Sequence, residues 1–135
     1  MLRLWPVFAL CSCALALSAC GTATSTSGFK GAEHEVAQRI ADLQSDVTAA
    51  DRGKICGNDL AAPVVKGLGG RKGCEAALKH QINQIDNPEV TINAVKLSPD
   101  GKSATASVKS IHEGNSRTST VALVKEGKNW RVSAP

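Results

Sequence analysis

In the stretch that begins at residue 32, apolar and polar residues recur with a helical period. Between residues 32 and 50 the side chains of Val36, Ile40, Leu43 and Val47 recur at intervals of three or four residues. Such spacing places apolar side chains on one face of a helix and polar ones on the other. The pattern therefore predicts one long amphipathic helix.

The opposite face of this helix carries Arg39, Asp42 and Asp46. Carboxylates four residues apart on a helix are more often solvated than paired as acid and base. We therefore expect these three side chains to form a solvent-exposed polar face.

Two shorter helices are predicted next. Pro63 suits the first turn of a short helix within residues 51–68, and a further helix should run from Cys74 to about Gln84. The glycine-rich stretch 67–73 should form the turn between them. It superficially resembles a phosphate-binding loop, but it has neither the Lys-Ser/Thr ending nor a preceding strand.

The second half of the chain has a period of two, beginning with Val90 and Ile92. Turn sequences at residues 98–101, 113–115 and 126–129 divide it into four stretches of strand character. Consecutive strands joined by tight turns form an antiparallel meander, whose apolar face helices can cover. The sequence therefore predicts an α+β fold, with N-terminal helices packed on an antiparallel β-sheet.

The N-terminus has the pattern of a lipoprotein leader. Fifteen of the first 19 residues are apolar, Arg3 supplies a positive charge, and Leu17-Ser18-Ala19-Cys20 resembles a bacterial lipobox. The resemblance implies that residues 1–19 are a signal peptide removed before Cys20, whose thiol carries a diacylglyceryl group. The alternative is an ordinary cleaved signal peptide that ends near a cysteine.

Residues 20–31 are mostly small and polar, which predicts a flexible linker behind the lipidated cysteine. Two acyl chains anchor a protein stably, whereas one holds it only marginally. After the leader no run approaches the ~20 apolar residues of a spanning helix. We therefore expect residues 32–135 to form a single extracytoplasmic domain, anchored at the outer leaflet of the cell membrane.

Removing the leader changes the composition of what remains. Without Arg3 the chain keeps 15 basic and 12 acidic residues, a net charge of +3, and its only aromatic Phe, Trp or Tyr residues are Phe29 and Trp130. Scattered basic residues without an aromatic series do not suit nucleic acid. Nucleic-acid binding is therefore not expected.

The cysteines divide by position. Cys11 and Cys13 leave with the leader and Cys20 is lipidated, so Cys56 and Cys74 remain. An even pair in an exported domain favours a disulfide. A zinc site would need two further ligands, and a catalytic thiol would have to stay reduced outside the cell. We predict a Cys56–Cys74 bridge and no metal or other cofactor.

The order of helices and strands, ending in Lys125-Glu126-Gly127-Lys128-Asn129-Trp130-Arg131-Val132, resembles the nuclear transport factor 2-like superfamily, a cystatin-like cone with a curved sheet. More narrowly, the chain is similar to small secreted lipoproteins of high-GC Gram-positive (actinobacterial-type) bacteria. In these, two cysteines flank the turn between helices and a Trp-Arg-Val strand ends the domain. The resemblance covers roughly residues 32–133.

The superfamily contains ketosteroid-isomerase-like enzymes, dehydratases, polyketide cyclases and pure binding modules, so it implies no single activity. An isomerase-like site needs an acidic base and a polarising donor such as tyrosine, and this chain has no tyrosine. Its histidines, His34, His80 and His112, are isolated in the sequence, although a dyad of His112 with Glu113, or of His80 with an aspartate, is conceivable. We expect no catalytic residues.

A ligand inside the cone would be lined by apolar residues of the first helix and the last strands. They are Ile40, Leu43, Val47, Val108, Val121, Leu123 and Trp130. The same side chains are needed as the core, which is the interpretation we favour.

These observations predict a membrane-anchored extracytoplasmic lipoprotein that acts as a non-enzymatic binding or interaction module. The alternative is a small-molecule carrier or a ketosteroid-isomerase-like enzyme that uses the cone. Besides the membrane, which it reaches through Cys20, the expected partners are an envelope protein, a lipid or a small hydrophobic ligand, and a second copy docking through the sheet.

Overall fold

The computed structural model describes residues 23–85 and 89–134. The predicted signal peptide at residues 1–19 and the predicted lipidation site Cys20 lie outside the described residues. The helical half comprises α1 (Gly31–Thr48), α2 (Arg52–Lys54), a π-helical turn (Ile55–Asp59), α3 (Ala62–Gly67) and α4 (Gly70–Ile82). The strands are β1 (Glu89–Leu97), β2 (Ser103–His112), β3 (Asn115–Glu126) and β4 (Asn129–Ala134). This order confirms the α+β prediction.

The four strands form one antiparallel sheet in the order β1-β2-β3-β4, which confirms the meander. Ala104 of β2 pairs with Leu123 of β3, which pairs in turn with Val132 of β4. Directly paired residues share a face of the sheet, so these three side chains project together. All three are buried in the core.

Helix α1 supplies the other half of the core. Val36, Ala37 and Ile40 are buried against the sheet, as the predicted spacing requires. Leu123, 1% exposed, is among the largest fully buried side chains. The core therefore lies between α1 and one face of the sheet.

The glycine-rich stretch differs from its prediction. The turn between α3 and α4 is confined to residues around Gly69 and Gly70, whose φ angles of +91° and +78° suit glycine, and α4 begins at Gly70 and not at Cys74. Gly73 lies inside α4, where a Cβ atom would stand 2.0 Å from the carbonyl oxygen of Leu68. Close packing of α4 on the end of α3 therefore explains why a glycine is needed at position 73.

The end of α4 also differs from the predicted pattern. The helix was predicted to run to about Gln84, but it ends at Ile82, and the side chain of Ile85 beyond it is 43% exposed. Helix periodicity no longer fixes the direction of a side chain once the helix has ended.

Cys56 and Cys74 form a disulfide with 6.0 Å between their Cα atoms, as predicted. Both residues are buried. The bridge joins the π-helical turn to α4, and it thereby fixes the helical segments to one another.

The π-helical turn is also held against β4. The backbone N–H of Ala61 donates to the carbonyl of Val132 at 2.8 Å, and Arg131 Nη1 donates to the carbonyl of Gly57 at 2.7 Å. Glu126 accepts a 2.8 Å hydrogen bond from the N–H of Ala62 at the start of α3. These contacts fix the position of the residues that follow Cys56.

Part of the predicted linker lies against the domain. Phe29 packs on the core, a ring nitrogen of His34 lies 3.2 Å from the carbonyl oxygen of Thr26, and the hydroxyl of Thr24 hydrogen-bonds to Gln44. Phe29 is the only large apolar side chain between residues 20 and 31, and its burial removes apolar surface from water. Among the described residues, contacts with the domain therefore extend back to Thr24.

Candidate functional site

The seven residues considered as a cone lining have their side chains in or beside the core. Four are buried members of the hydrophobic core: Ile40, Val108, Leu123 and Trp130. Two more, Leu43 and Val121, are partly buried and pack against the core. Val47 is partly buried. Packing of α1 on the sheet therefore accounts for the burial of these side chains.

The three histidines lie on different elements. His34 is in the first turn of α1, His80 is exposed on α4, and His112 is exposed at the end of β2. His112 Nε2 and Glu113 Oε1 are 3.9 Å apart at the surface. Within the part of the chain that the structure describes, no three His, Cys, Asp or Glu side chains are placed to hold a metal ion.

A polar cavity of about 310 Å³ lies between one flank of α1 and the π-helical turn. We call it the α1 cavity. Its lining consists of Arg39, Asp42, Ser45, Asp46, Lys54, Asn58 and Asp59. The spacing of three and four residues along α1 brings Arg39, Asp42 and Asp46 to one flank, and π-helical turns are frequent at functional sites. The predicted solvated face of α1 is thus the wall of a cavity.

Asp59 is the most unusual residue of this cavity. Its side chain is 0% exposed, and Arg39 Nη1 donates to its Oδ1 at 2.8 Å. Its second oxygen, Oδ2, is buried and accepts no hydrogen bond, and Arg39 Nε is likewise buried without a partner. A buried polar atom without a partner costs free energy, so each such atom calls for an explanation.

Burial raises the pKa of Asp59 from its ordinary 3.8 to about 6. The hydrogen bond from Arg39 opposes this rise in pKa, whereas the carboxylate of Asp46 adds to it. A proton on Asp59 can be shared with Asp46, which gives the unpaired Oδ2 a partner. The cavity floor therefore carries a carboxyl group that changes charge close to neutral pH.

The remaining charges are partly paired. Lys54 Nζ lies 3.6 Å from Asp46 Oδ1 and 3.7 Å from Asp51 Oδ2, and Arg39 lies 3.9 Å from Asp42. The lining has two cationic and three acidic side chains, so its net charge is −1 when all of them are ionised. Carboxylates only accept hydrogen bonds, so the cavity suits a polar group that donates them, such as an ammonium, guanidinium or hydroxyl group.

A second cavity, also about 310 Å³, shares Arg39 and Asp42 with the first. One of its walls is Trp130, whose Nε1 donates to Glu35 at 3.3 Å while Lys125 Nζ lies 5.6 Å from its ring centre. The two cavities adjoin, and together they make a polar groove along α1.

No local sequence pattern distinguishes Asp59 from the other acidic residues. It follows Gly57 and Asn58, a context typical of solvated acidic residues. Its partner Arg39 is 20 positions away, on another element, so no local pattern joins them. The one available signal is that Arg39 and Asp59 each stand beside apolar residues in the sequence. Many surface residues that form no buried ion pair share this feature.

The chain matches no protein-family model, and no curated protein matches it with significant similarity. The resemblance to the nuclear transport factor 2-like superfamily therefore stays a prediction.

Proposed function

We propose that this protein is an extracytoplasmic lipoprotein, anchored to the cell membrane through Cys20, whose domain is a non-enzymatic binding module. The Leu-Ser-Ala-Cys sequence at residues 17–20 supports the anchor. The Cys56–Cys74 disulfide supports an oxidising compartment. None of the helices in the described ranges has the length and apolarity needed to cross a bilayer.

The observation that carries the binding role is the buried Oδ2 of Asp59, which receives no hydrogen bond when the carboxyl group is ionised, beneath a surface cavity. The apolar residues that a hydrophobic ligand would need are already packed in the core. We therefore assign recognition to the α1 cavity, and its partner is a polar group that donates hydrogen bonds.

Membrane fractionation tests the anchor. Cys20→Ala removes the lipidated thiol and should move the protein from the membrane fraction to the soluble exported fraction. Cys13→Ala, within the leader but outside the lipobox, is the matched control and should leave the protein membrane-bound. Retention of the Cys20→Ala protein in the membrane would refute the lipid anchor.

Site-specific photo-crosslinking in intact cells tests the binding role. A photoreactive amino acid at Asn58, an exposed residue of the α1 cavity, should yield a discrete adduct. The same amino acid at Ser116, exposed on β3, is the control. Adducts identical at both positions, or none at Asn58, would count against recognition in this cavity.

One observation favours acid–base catalysis as a second candidate function. A carboxyl whose pKa is about 6 can take up and return a proton near neutral pH, and such groups are frequent in active sites. A test is isomerisation of a β,γ-unsaturated ketone by the protein and by Asp59→Asn. Turnover that Asp59→Asn abolishes would establish the enzyme, whereas turnover equal to the buffer rate would rule out this reaction.

The carrier alternative requires an apolar cavity, and an environment-sensitive dye such as anilinonaphthalene sulfonate reports one. A filled core should give no saturable binding to the native protein. Saturable binding that disappears on unfolding would favour the carrier.

A further inference from the structure

The segment from Thr24 to Phe29 is attached to the domain at three places. The hydroxyl of Thr24 bonds to Gln44 near the C-terminal end of α1, the carbonyl of Thr26 lies against His34 in its first turn, and Phe29 packs on the core. Gly31, with φ +56°, lets the chain turn back at the start of α1. The segment therefore runs back along α1, and the exit of the chain toward Cys20 is fixed beside Gln44.

Only four residue steps separate Cys20 from Thr24. A fully extended chain spans at most about 3.3–3.6 Å per residue, so the two Cα atoms are no more than about 14 Å apart. A flexible linker of residues 20–31 would allow the domain to turn freely. An attachment at Thr24 instead holds one particular side of the domain next to the lipidated residue.

That side of α1 is almost uncharged. The surface around Thr24 includes Ala41, Gln44 and Thr48, and of its nine lining residues only Asp42 is ionisable. Removing water from an ionised group costs free energy. Because this surface has few ionised groups, its approach to lipid headgroups incurs little of that cost. We call Ala41, Gln44 and Thr48 the neutral flank.

The α1 cavity lies on a different flank of the same helix. At 3.6 residues per turn, Gln44 and Asp46 are about 160° apart around the helix axis. Arg39 and Asp46 lie on the cavity side of the helix, whereas Asp42 and Ser45 lie at its border, because they line both the α1 cavity and the surface around Thr24. With the neutral flank toward the bilayer, the part of the α1 cavity that contains Arg39 and Asp46 thus faces away from it.

We propose that the attached segment 24–29 docks the domain on the bilayer with its neutral flank facing the lipid headgroups and its α1 cavity facing the envelope space. This inference rests on the proposed lipid anchor at Cys20. It adds an orientation, in which a short tether holds the binding cavity open to partners outside the membrane.

Nitroxide labelling of the lipidated protein in phosphatidylcholine–phosphatidylglycerol vesicles tests this orientation. With Cys20 lipidated and Cys56 bridged to Cys74, an added cysteine is the only free thiol of the mature chain. The test variant is Thr48→Cys on the neutral flank. The control variant is Lys128→Cys in the turn before β4. Strand β4 and strand β1 form opposite edges of the sheet. Collisions with a water-soluble nickel chelate should fall about threefold or more at position 48 on vesicle binding and stay unchanged at position 128.

A spacer variant tests the role of the short tether. About 20 Gly and Ser residues inserted between Thr22 and Ala23 add roughly 25 Å of reach, so shielding at position 48 should vanish while the protein stays on the vesicles. Shielding that persists would refute a tether-imposed orientation.

The outcomes separate the two proposals. If the lipidated protein does not float with the vesicles, the proposed anchor fails, and the orientation fails with it. If the protein floats but positions 48 and 128 are shielded equally, the anchor stands and the docked orientation is overturned.

Discussion

Asp59→Asn should remove a pH dependence of stability that the wild-type protein shows between about pH 4 and pH 7. Asn keeps the shape of the side chain, and its Oδ1 can still accept the hydrogen bond that Arg39 Nη1 donates. It has no proton to lose in this range. The variant therefore isolates the titration of one buried carboxyl.

The sign follows from the pKa of Asp59, which folding raises from 3.8 to about 6. Between these values the folded protein holds a proton that the unfolded chain has released, so the free energy of unfolding falls as the pH rises. The contribution is fully present below pH 3.8 and is lost as the pH passes through about 6. At about 1.4 kcal/mol per pH unit, the loss is about 3 kcal/mol.

Urea titrations of the protein lacking residues 1–19 measure this difference at a series of pH values. Trp130 is the only tryptophan after residue 19 and is buried, so its fluorescence reports unfolding. Other carboxyls are the same in both proteins, including Asp100, whose pKa is lowered by a hydrogen bond from Ser98. Subtracting the two pH profiles therefore leaves the contribution of Asp59 together with its interaction with Asp46.

The matched control is Glu113→Gln, which removes a carboxyl whose side chain is 73% exposed. It should retain the wild-type slope, because an exposed carboxylate keeps its hydration on folding. If Asp59→Asn and the wild type lose stability equally between about pH 4 and pH 7, the reasoning about a buried, protonated Asp59 is wrong.

Three further predictions concern packing and cross-linking. Gly73→Ala should lower the free energy of unfolding, measured by urea titration, by about 1–3 kcal/mol or more. The control Gly67→Ala should not lower it, because nothing lies within 4 Å of the added Cβ. Equal losses in the two variants would contradict the close approach at Gly73. Leu123→Ala should cost about 2–5 kcal/mol in the same titration, and a loss well below this range would show that the position is not tightly packed. Replacing Cys56 and Cys74 together by Ser should cost about 3 kcal/mol, and an unchanged unfolding midpoint would argue against the bridge.

The sequence determined the features that depend on local periodicity. Spacing of three and four residues located α1, and alternation between three turn sequences located the four strands and their meander. Counting the cysteines left in an exported domain predicted the Cys56–Cys74 bridge. The helix and the strands were predictable because residues close together in the chain determine them. The disulfide was predictable because only two cysteines remained to form it.

The tertiary structure alone decided which polar residues are unusual. Arg39 and Asp59 are 20 residues apart and meet because the disulfide and β4 fix the π-helical turn beside α1. The pKa of a carboxyl depends on the water removed around it and on charges brought near it, and neither is encoded in its sequence neighbours. For the same reason the attachment of Thr24 beside Gln44 could not be anticipated, since small polar residues look alike whether they are solvated or packed against a helix.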